Sequence, residues 1–352
     1  MQTRFFANFI FLFSMEKASL CGLSADEIHD LIKPEGFNYS HALRIANSLY
    51  KKRITEFSQI SNFPKKLTEF LSSALTPGLF KPVASQLSAD KSVKYLFSNF
   101  EGLKYETVFL PDGKRNTVCV STQSGCRMGC PFCVTGSYGF YGDLSAGEII
   151  NQVISLPDAA YVTHVVFMGM GEPMDNIDNV LKACEILTAE WGLALSPRSV
   201  TVSTTGLRPG LEKFLANSPC NITLSLFSPF QDERKRIIPA EGKHPASELI
   251  QLMKDYPAGK KRRFSVAYVM IDGINDTEGH LQELKSLLGG SRIRINLIPY
   301  HPVHVSRDKS SSAERMQYFK HELVTSGISA SVRKSRGTDI SAACGLLAGG
   351  LS

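Results

Sequence analysis

The sequence predicts an α/β protein: an open, partial (βα)6 barrel with a small helical unit before it and a β/α extension after it. Three observations predict it. A strand-then-helix rhythm repeats six times between Cys119 and Pro299. The helices in that rhythm place apolar residues at helical spacing on one side, so each crossover has a face to hide on a parallel sheet. Six steps fall short of the eight that close a barrel, which leaves the sheet open.

Composition agrees. The chain has 352 residues, 43% hydrophobic and 20% charged, which suits a globular protein and excludes general disorder. That length suggests one large domain and a smaller one. No apolar run reaches the roughly eighteen residues of a membrane span. A net charge of +6 suits a polyanionic partner without proving one. The 8 cysteines are too few for a disulfide scaffold, and three crowd into one short segment, as metal chemistry in a reducing compartment requires.

The elements follow in order. Phe5 to Phe13 is apolar, but one charge precedes it and no small-residue cleavage site follows. The expected start is therefore Met15, and the chain reads as cytoplasmic. Ser24-Ala-Asp-Glu27 is a capping box that opens a helix, with Leu23 and Ile28 as its staple. Further helices are expected over Tyr39–Lys52 and Lys65–Ala74. Lys51, Lys52, Arg53, Lys65 and Lys66 punctuate this unit, as either a solvated face or an RNA-touching one. Residues 15–90 form the helical domain and 91–118 a β extension. Its strands are Val93–Phe97, Glu106–Leu110 and Thr117–Ser121, with a turn at Pro111-Asp-Gly113.

Barrel strands are expected over Cys119–Ser121, Thr163–Met168, Ser199–Ser203, Asn221–Phe227, Phe264–Met270 and Ile293–Ile298, within residues 119–300. Ser145-x-x-Glu148 caps the first crossover helix. The extension, 301–352, shows a helix capped by Ser311-x-x-Glu314, a strand over Ile328–Arg333 and a short helix near Ile340–Leu347. In such folds chemistry gathers at the carboxyl ends of the strands.

The strongest motif sits there. Cys126-Arg-Met-Gly-Cys130-Pro-Phe-Cys133 offers three thiolates within eight residues directly after a strand. A structural zinc site needs four ligands, and no fourth Cys or His lies at zinc spacing. An iron–sulfur cube held at three corners leaves one iron open to a small molecule. His301-x-x-His304 reads as solvated, and Cys184 as core. Lys260–Arg263, Arg333, Lys334 and Arg336 are candidate phosphate contacts.

The spacing Cys-x-x-x-Cys-x-Phe-Cys resembles the signature of the radical S-adenosylmethionine superfamily. The surrounding words narrow it: Thr117–Cys126, Phe167-Met-Gly-Met-Gly-Glu172-Pro, Ser203-Thr-Thr-Gly206, Ile271–Asp276, Ile295-Asn-Leu-Ile-Pro299 and Ser335–Gly345. This ordered set resembles the RlmN/Cfr family of RNA methyltransferases, from about Leu23 to Ala348. The resemblance implies a partial radical SAM barrel, one [4Fe-4S] cluster on Cys126, Cys130 and Cys133, and S-adenosyl-L-methionine on its open iron. It implies cofactor contacts at Gly171, Glu172, Ser203, Ser225, Leu226, Phe227 and Asn296.

It also implies the chemistry. An adenine ring carbon is not nucleophilic, so the family first methylates a cysteine, here Cys344. A radical formed from a second S-adenosylmethionine takes a hydrogen from that methyl, and the carbon adds to the base. Glu106 matches the proton acceptor, and Cys119 the cysteine that releases the adduct through a transient disulfide with Cys344. The implied partners are 23S rRNA, tRNA and a flavodoxin- or ferredoxin-type electron donor, and the chain is expected to be a monomer. Gly171-Glu-Pro173 and Arg336-Gly337 resemble the adenine-C2 branch more than the C8 branch. A zinc-bearing, non-catalytic RNA-binding protein is the alternative from another class. Two positions depart from the family pattern: Phe227 stands where His is usual, and Leu346 where Gln is usual.

Overall fold

A computed structural model describes residues 17–257, 259, 262–302 and 308–347. The apolar stretch before Met15, Lys260, Lys261 and His304 lie outside the described residues.

The three N-terminal helices form where the pattern places them, over Ala25–Ile32, Tyr39–Tyr50 and Lys65–Ala74. The Ser24 hydroxyl accepts from the Glu27 amide and the Glu27 carboxylate accepts from the Ser24 amide, which closes the expected capping box. Ile28, Ile32, Ile45, Leu49, Leu67 and Leu71 are buried on their inner faces. The unit is tied to the rest of the chain by the Glu27–Lys182 ion pair at 2.5 Å and by the Cys21 thiol, which donates to the Gly147 carbonyl.

A ten-stranded sheet organises the remainder. Six strands run parallel in sequence order: Arg115–Val120, His164–Phe167, Val200–Thr204, Asn221–Ser225, Phe264–Met270 and Arg294–Pro299. A seventh, Ala330–Val332, lies parallel beyond the sixth. On the other side Lys104–Asp112, Val93–Ser98 and Ala84–Leu87 continue the same sheet antiparallel. The expected β extension is thus an unbroken flank of the barrel sheet.

Alternation assigns the two faces. Val118, Val120, Val165, Phe167, Val200, Val202, Ile222, Leu224, Val266, Ile295 and Leu297 are buried on the face that carries the core. Thr117, Cys119, Ser203, Ser225 and Asn296 point to the other, concave face, which is polar and partly open. Register aligns them in rows: Cys119 sits opposite Val108 and Val166, and Ser225, Ala267, Asn296 and Ser331 form one row across four strands.

Three local expectations need correction. The hairpin between the second and third extension strands turns on Gly113 and Lys114, with Pro111 and Asp112 still in the strand. The helix Ala313–Thr325 is capped by Ser312, because the Ser311 hydroxyl is spent on the Asp276 carboxylate at 2.7 Å. Among the described residues, the tail holds a single 3-10 turn, Thr338–Ile340, in place of the helix expected near Ile340–Leu347. Gly337 and Ser341, on either side of it, adopt left-handed backbone angles that a helix cannot continue. No helix among the described residues is long and apolar enough to cross a membrane.

Candidate active site

The cysteine loop leaves the first barrel strand through the short strand Gln123–Gly125 and runs into the helix Val134–Tyr138. The Cys126 amide donates to the Gly139 carbonyl and the Cys133 amide to that of Cys130, so the loop is closed on itself. Arg127 anchors its outer edge by ion-pairing with Asp175 at 2.5 Å and lying over the Phe140 ring at 3.4 Å. Its inner side meets an apolar shell in which Cys130 packs with Phe227, Ile238, Ile271 and Tyr300. Phe132 stacks on Phe227 at 5.7 Å.

Burial pushes the Cys126 and Cys130 thiols up to about 12, and the neighbouring cysteine charges add to the rise at Cys130. Thiolates crowded in such a shell are stable only when a cationic centre neutralises them. Glu172 is near enough for its charge to act on both. Its oxygens, however, accept from the Thr204 hydroxyl at 2.6 Å, the Thr205 amide at 2.7 Å, the Thr205 hydroxyl at 2.9 Å and the Met174 amide at 3.0 Å. The donors left are three sulfurs, which fits a cluster with one open corner. A structural zinc site would need a fourth protein ligand, and Glu172, the acidic neighbour, is already spent on the Thr204, Thr205 and Met174 donors.

Glu172 is 2% exposed, and burial raises its carboxyl although the four donors pull the other way. Its side chain therefore organises the ends of the second and third barrel strands. Gly171 has φ +99°, and a Cβ there would meet the Gln123 amide nitrogen at 2.8 Å. Only glycine lets these backbones approach.

Sequence reasoning missed the residue that joins this corner to the next strand. Arg234, fully buried, donates from Nη2 to the carbonyls of Thr205 at 2.5 Å and Ser225 at 2.8 Å, and from Nε to that of Leu226 at 2.9 Å. Its charge is met by buried Glu241. Asn275, inside the quoted Ile271–Asp276 motif, donates to the carbonyls of Phe227 and Val269 at 2.7 Å each. Phe227 sits at φ +62°, an uncommon angle for a bulky residue, held by these contacts and its ring stack. Ser225, Leu226 and Phe227 are thus fixed as a unit at the strand end. Asn296 accepts from the Ser331 hydroxyl at 2.9 Å in the same row. Ser203 shares the concave face, but among the described residues no hydrogen bond joins its hydroxyl to the others.

The tail reaches this loop from 211 residues away. The Val134 amide donates to the Gly345 carbonyl at 2.8 Å and the Thr135 hydroxyl to that of Leu347 at 3.0 Å. Upstream, Arg336 donates to the carbonyls of Pro111 and Asp90, and the Gly337 amide to the Asp90 carboxylate at 3.0 Å. Arg336 is therefore a clamp and not a free phosphate contact. Cys344 lies between the two anchors.

The Cys344 side chain is exposed, yet burial by surrounding protein is the main influence raising its thiol, as at the wall of an open cleft. The Arg333 charge offsets part of that rise, and the Cys133 charge adds to it. Burial also raises Cys119, with the Cys344 charge as the next cause, so the two thiols lie within electrostatic reach of each other. All 8 cysteines are free in this structure, so the expected Cys119–Cys344 disulfide is not a standing bond. Glu106 is 3% exposed on the adjacent strand, with the Lys94 ammonium, wholly buried, 3.4 Å from its carboxylate. Sequence reasoning missed Lys94 because a lysine in an alternating strand reads as solvent-facing.

Comparison with known proteins follows these lines. Residues 120–284 match the Radical SAM superfamily model. A relative from Bacteroides thetaiotaomicron, named "Probable dual-specificity RNA methyltransferase RlmN", is 41% identical over 95% of this chain and 96% of its own. One from Geobacter sulfurreducens, "Dual-specificity RNA methyltransferase RlmN", is 36% identical over 94% of this chain and 92% of its own. The crystal structure of a radical SAM methyltransferase from Sphaerobacter thermophilus, 35% identical, covers 94% of this chain and 99% of that one with a TM-score of 0.86. A three-cysteine loop, a polar concave sheet face and a tail cysteine docked on that loop accompany an alignment that spans both partners almost end to end, and the chain belongs to the RlmN/Cfr family of radical SAM RNA methyltransferases.

Proposed function

We propose that the chain methylates C2 of an adenine in 23S rRNA and of the adenine beside the anticodon in tRNA, by way of a methyl carried on Cys344. One observation supports this above the rest: the segment bearing Cys344 is hydrogen-bonded to the helix Val134–Tyr138, which directly follows Cys133. A structural tail cysteine has no need of that address.

Cys126, Cys130 and Cys133 would hold a [4Fe-4S] cluster, and the ends of the second, third, fourth and sixth barrel strands would hold S-adenosylmethionine. When bound, these supply one-electron cleavage of a sulfonium and so a carbon radical beside the tail. Every other part falls to the chain. The apolar shell of Phe227, Ile271 and Tyr300 keeps water from the loop. Arg333 favours the thiolate of Cys344, which takes the methyl and later passes its carbon to the ring. Glu106, paired with Lys94 at 3.4 Å, accepts the proton that leaves the ring carbon. Cys119 then attacks the Cys344 sulfur, the S–C bond breaks, the released carbon takes up a proton to become the methyl group, and the RNA is freed. A thiol reductant would return the disulfide to two thiols, while the flavodoxin- or ferredoxin-type donor would supply the single electron for sulfonium cleavage.

The test is mass spectrometry of rRNA and tRNA from cells lacking the protein. Loss of 2-methyladenosine from both is the expected result. Loss of 8-methyladenosine alone would support the C8 reading, and unchanged RNA would refute both. In vitro, Cys344→Ala should abolish methylation with the cluster intact, and Cys119→Ala should leave RNA cross-linked to protein.

A further inference from the structure

Four arginines are unaccounted for by this chemistry, and a fifth, Arg333, enters it only through its effect on the Cys344 thiol. Arg115 opens the first barrel strand, Arg294 opens the sixth, and Arg263 directly precedes the fifth. Arg198 lies two residues before the third, and Arg333 follows the edge strand, its amide donating to the Leu297 carbonyl at 2.8 Å. All five side chains are exposed. Alternation puts Arg115 on the face of Cys119, Arg294 on that of Asn296, Arg263 on that of Ser265, and Arg333 on that of Ser331. Four therefore share the concave face that carries the site. His164, at the start of the second strand, lies on it too.

None of the five makes an ion pair among the described residues. Elsewhere Arg127, Arg208, Arg234 and Arg336 each meet a carboxylate. Burial first, then the charges of Arg294, Arg198 and Arg115, hold Arg263 below its ordinary value, and Arg115 acts likewise on Arg333 after burial. His164 is lowered by burial and then by Arg115 and Arg263. The guanidinium groups thus repel one another across the concave face. Arg115, Arg198, Arg263 and Arg294 stand at the amino-terminal ends of their strands, away from the cysteine loop, and Arg333 nearer the carboxyl ends, one residue past the Leu297–Val332 pair. A surface of that kind costs stability unless an anion bridges it, and the planar fork of arginine matches phosphate. At about 4.8 Å between strands, the arc from the first to the sixth spans roughly 24 Å, far more than one phosphate and enough for several nucleotides. Arg333 also acts on Cys344, which connects this rim to the reacting cysteine.

We infer that Arg115, Arg198, Arg263, Arg294 and Arg333 form the phosphate-binding rim that seats the RNA strand over the concave face of the barrel. This rests on the reading of the chain as an RNA methyltransferase and adds where the RNA backbone lies. The basic N-terminal helices are the competing surface. There Lys65 and Lys66 already face Glu69 and Glu35, at 3.7 Å and 3.8 Å.

The test is fluorescence anisotropy with a labelled RNA stem-loop carrying unpaired adenines, using the cluster-loaded chain over a range of salt. Combined Arg115→Ala, Arg263→Ala and Arg294→Ala should weaken binding about tenfold or more and flatten the log–log salt slope by roughly two. Cluster absorbance and thermal midpoint should not move, since exposed side chains are replaced. Lys65→Ala with Lys66→Ala should weaken binding less than about threefold. Undiminished binding by the arginine variant, or a larger loss from the lysine variant, overturns the rim. Absence of RNA binding by the unaltered chain would instead overturn the methyltransferase reading and the rim with it. Equal displacement by an acidic peptide would overturn the assignment to nucleic acid.

Discussion

Replacing Arg234 by Met tests how the cofactor corner is held. The substitution removes donors from the carbonyls of Thr205, Ser225 and Leu226 and strands the buried Glu241 carboxylate. At about 1 kcal/mol for each hydrogen bond, the three carbonyls cost roughly 3 kcal/mol. An unpaired buried carboxylate adds about 3 kcal/mol or more. The expected loss is therefore about 6 kcal/mol, which corresponds to a fall in thermal midpoint on the order of 8 °C for a chain of this size. Adding Glu241→Leu removes the stranded charge and leaves the Ala246 amide, now bonded to Glu241, without its acceptor. The double variant should therefore recover roughly 2 kcal/mol relative to Arg234→Met alone. Scanning calorimetry at a fixed heating rate under nitrogen reads both. Arg234→Lys should fold, because it keeps the charge, yet raise the KM for S-adenosylmethionine, because an ammonium cannot span three carbonyls. A double variant no more stable than Arg234→Met would refute the stranded-charge argument. An unchanged KM in Arg234→Lys would refute the positioning role.

Other expectations concern neighbouring contacts. Lys94→Met should cost about 3 kcal/mol by leaving Glu106 buried without its cation, and Glu106→Gln on top should restore stability but not methylation, read by denaturation and by methyl transfer to RNA. Phe227→Gly relieves a left-handed backbone but opens the shell beside Cys130, so a net loss of about 2 kcal/mol and faster bleaching of the cluster in air are expected; bleaching at the original rate would count against the water-excluding role. Asp90 is held well below the usual carboxylate range: burial opposes this, and hydrogen bonds from Ser92, Gly337 and Ser88 overcome it. Its folded value is depressed, so the stability it gives is present above the ordinary carboxylate value and fades as pH falls through the lowered one. Asp90→Asn should therefore remove at most about 1 kcal/mol at pH 7, and that difference should shrink below about pH 4, as pH-dependent melting of both proteins would show.

Much of this was legible in the sequence because the signals were local. The capping boxes at Ser24 and Ser145 and the alternation of Val118, Cys119 and Val120 need only neighbouring residues, and the spacing of Cys126, Cys130 and Cys133 carries the cluster reading. What was hidden depends on distant partners. Arg234 sits in the run Gln231-Asp-Glu-Arg-Lys-Arg236, which reads as a solvated helix face until the strand ends fold around it. A short helix is expected near Ile340–Leu347, but the backbone groups of the tail are taken by Asp90 on one side and by Val134 on the other. Ser312 displaced Ser311 as a cap only because Asp276 lies within reach of the latter. The arginine rim is spread over five separate segments, so no window of sequence could display it.

The central claim is that Cys344 carries the methyl group. The direct measurement is mass spectrometry of the Cys344 peptide after the reconstituted chain has been incubated with trideuteromethyl-labelled S-adenosylmethionine and then chased with RNA. The account predicts a labelled methyl on Cys344 that disappears as label enters adenine. Label that enters adenine while the Cys344 peptide stays unmodified throughout would contradict it.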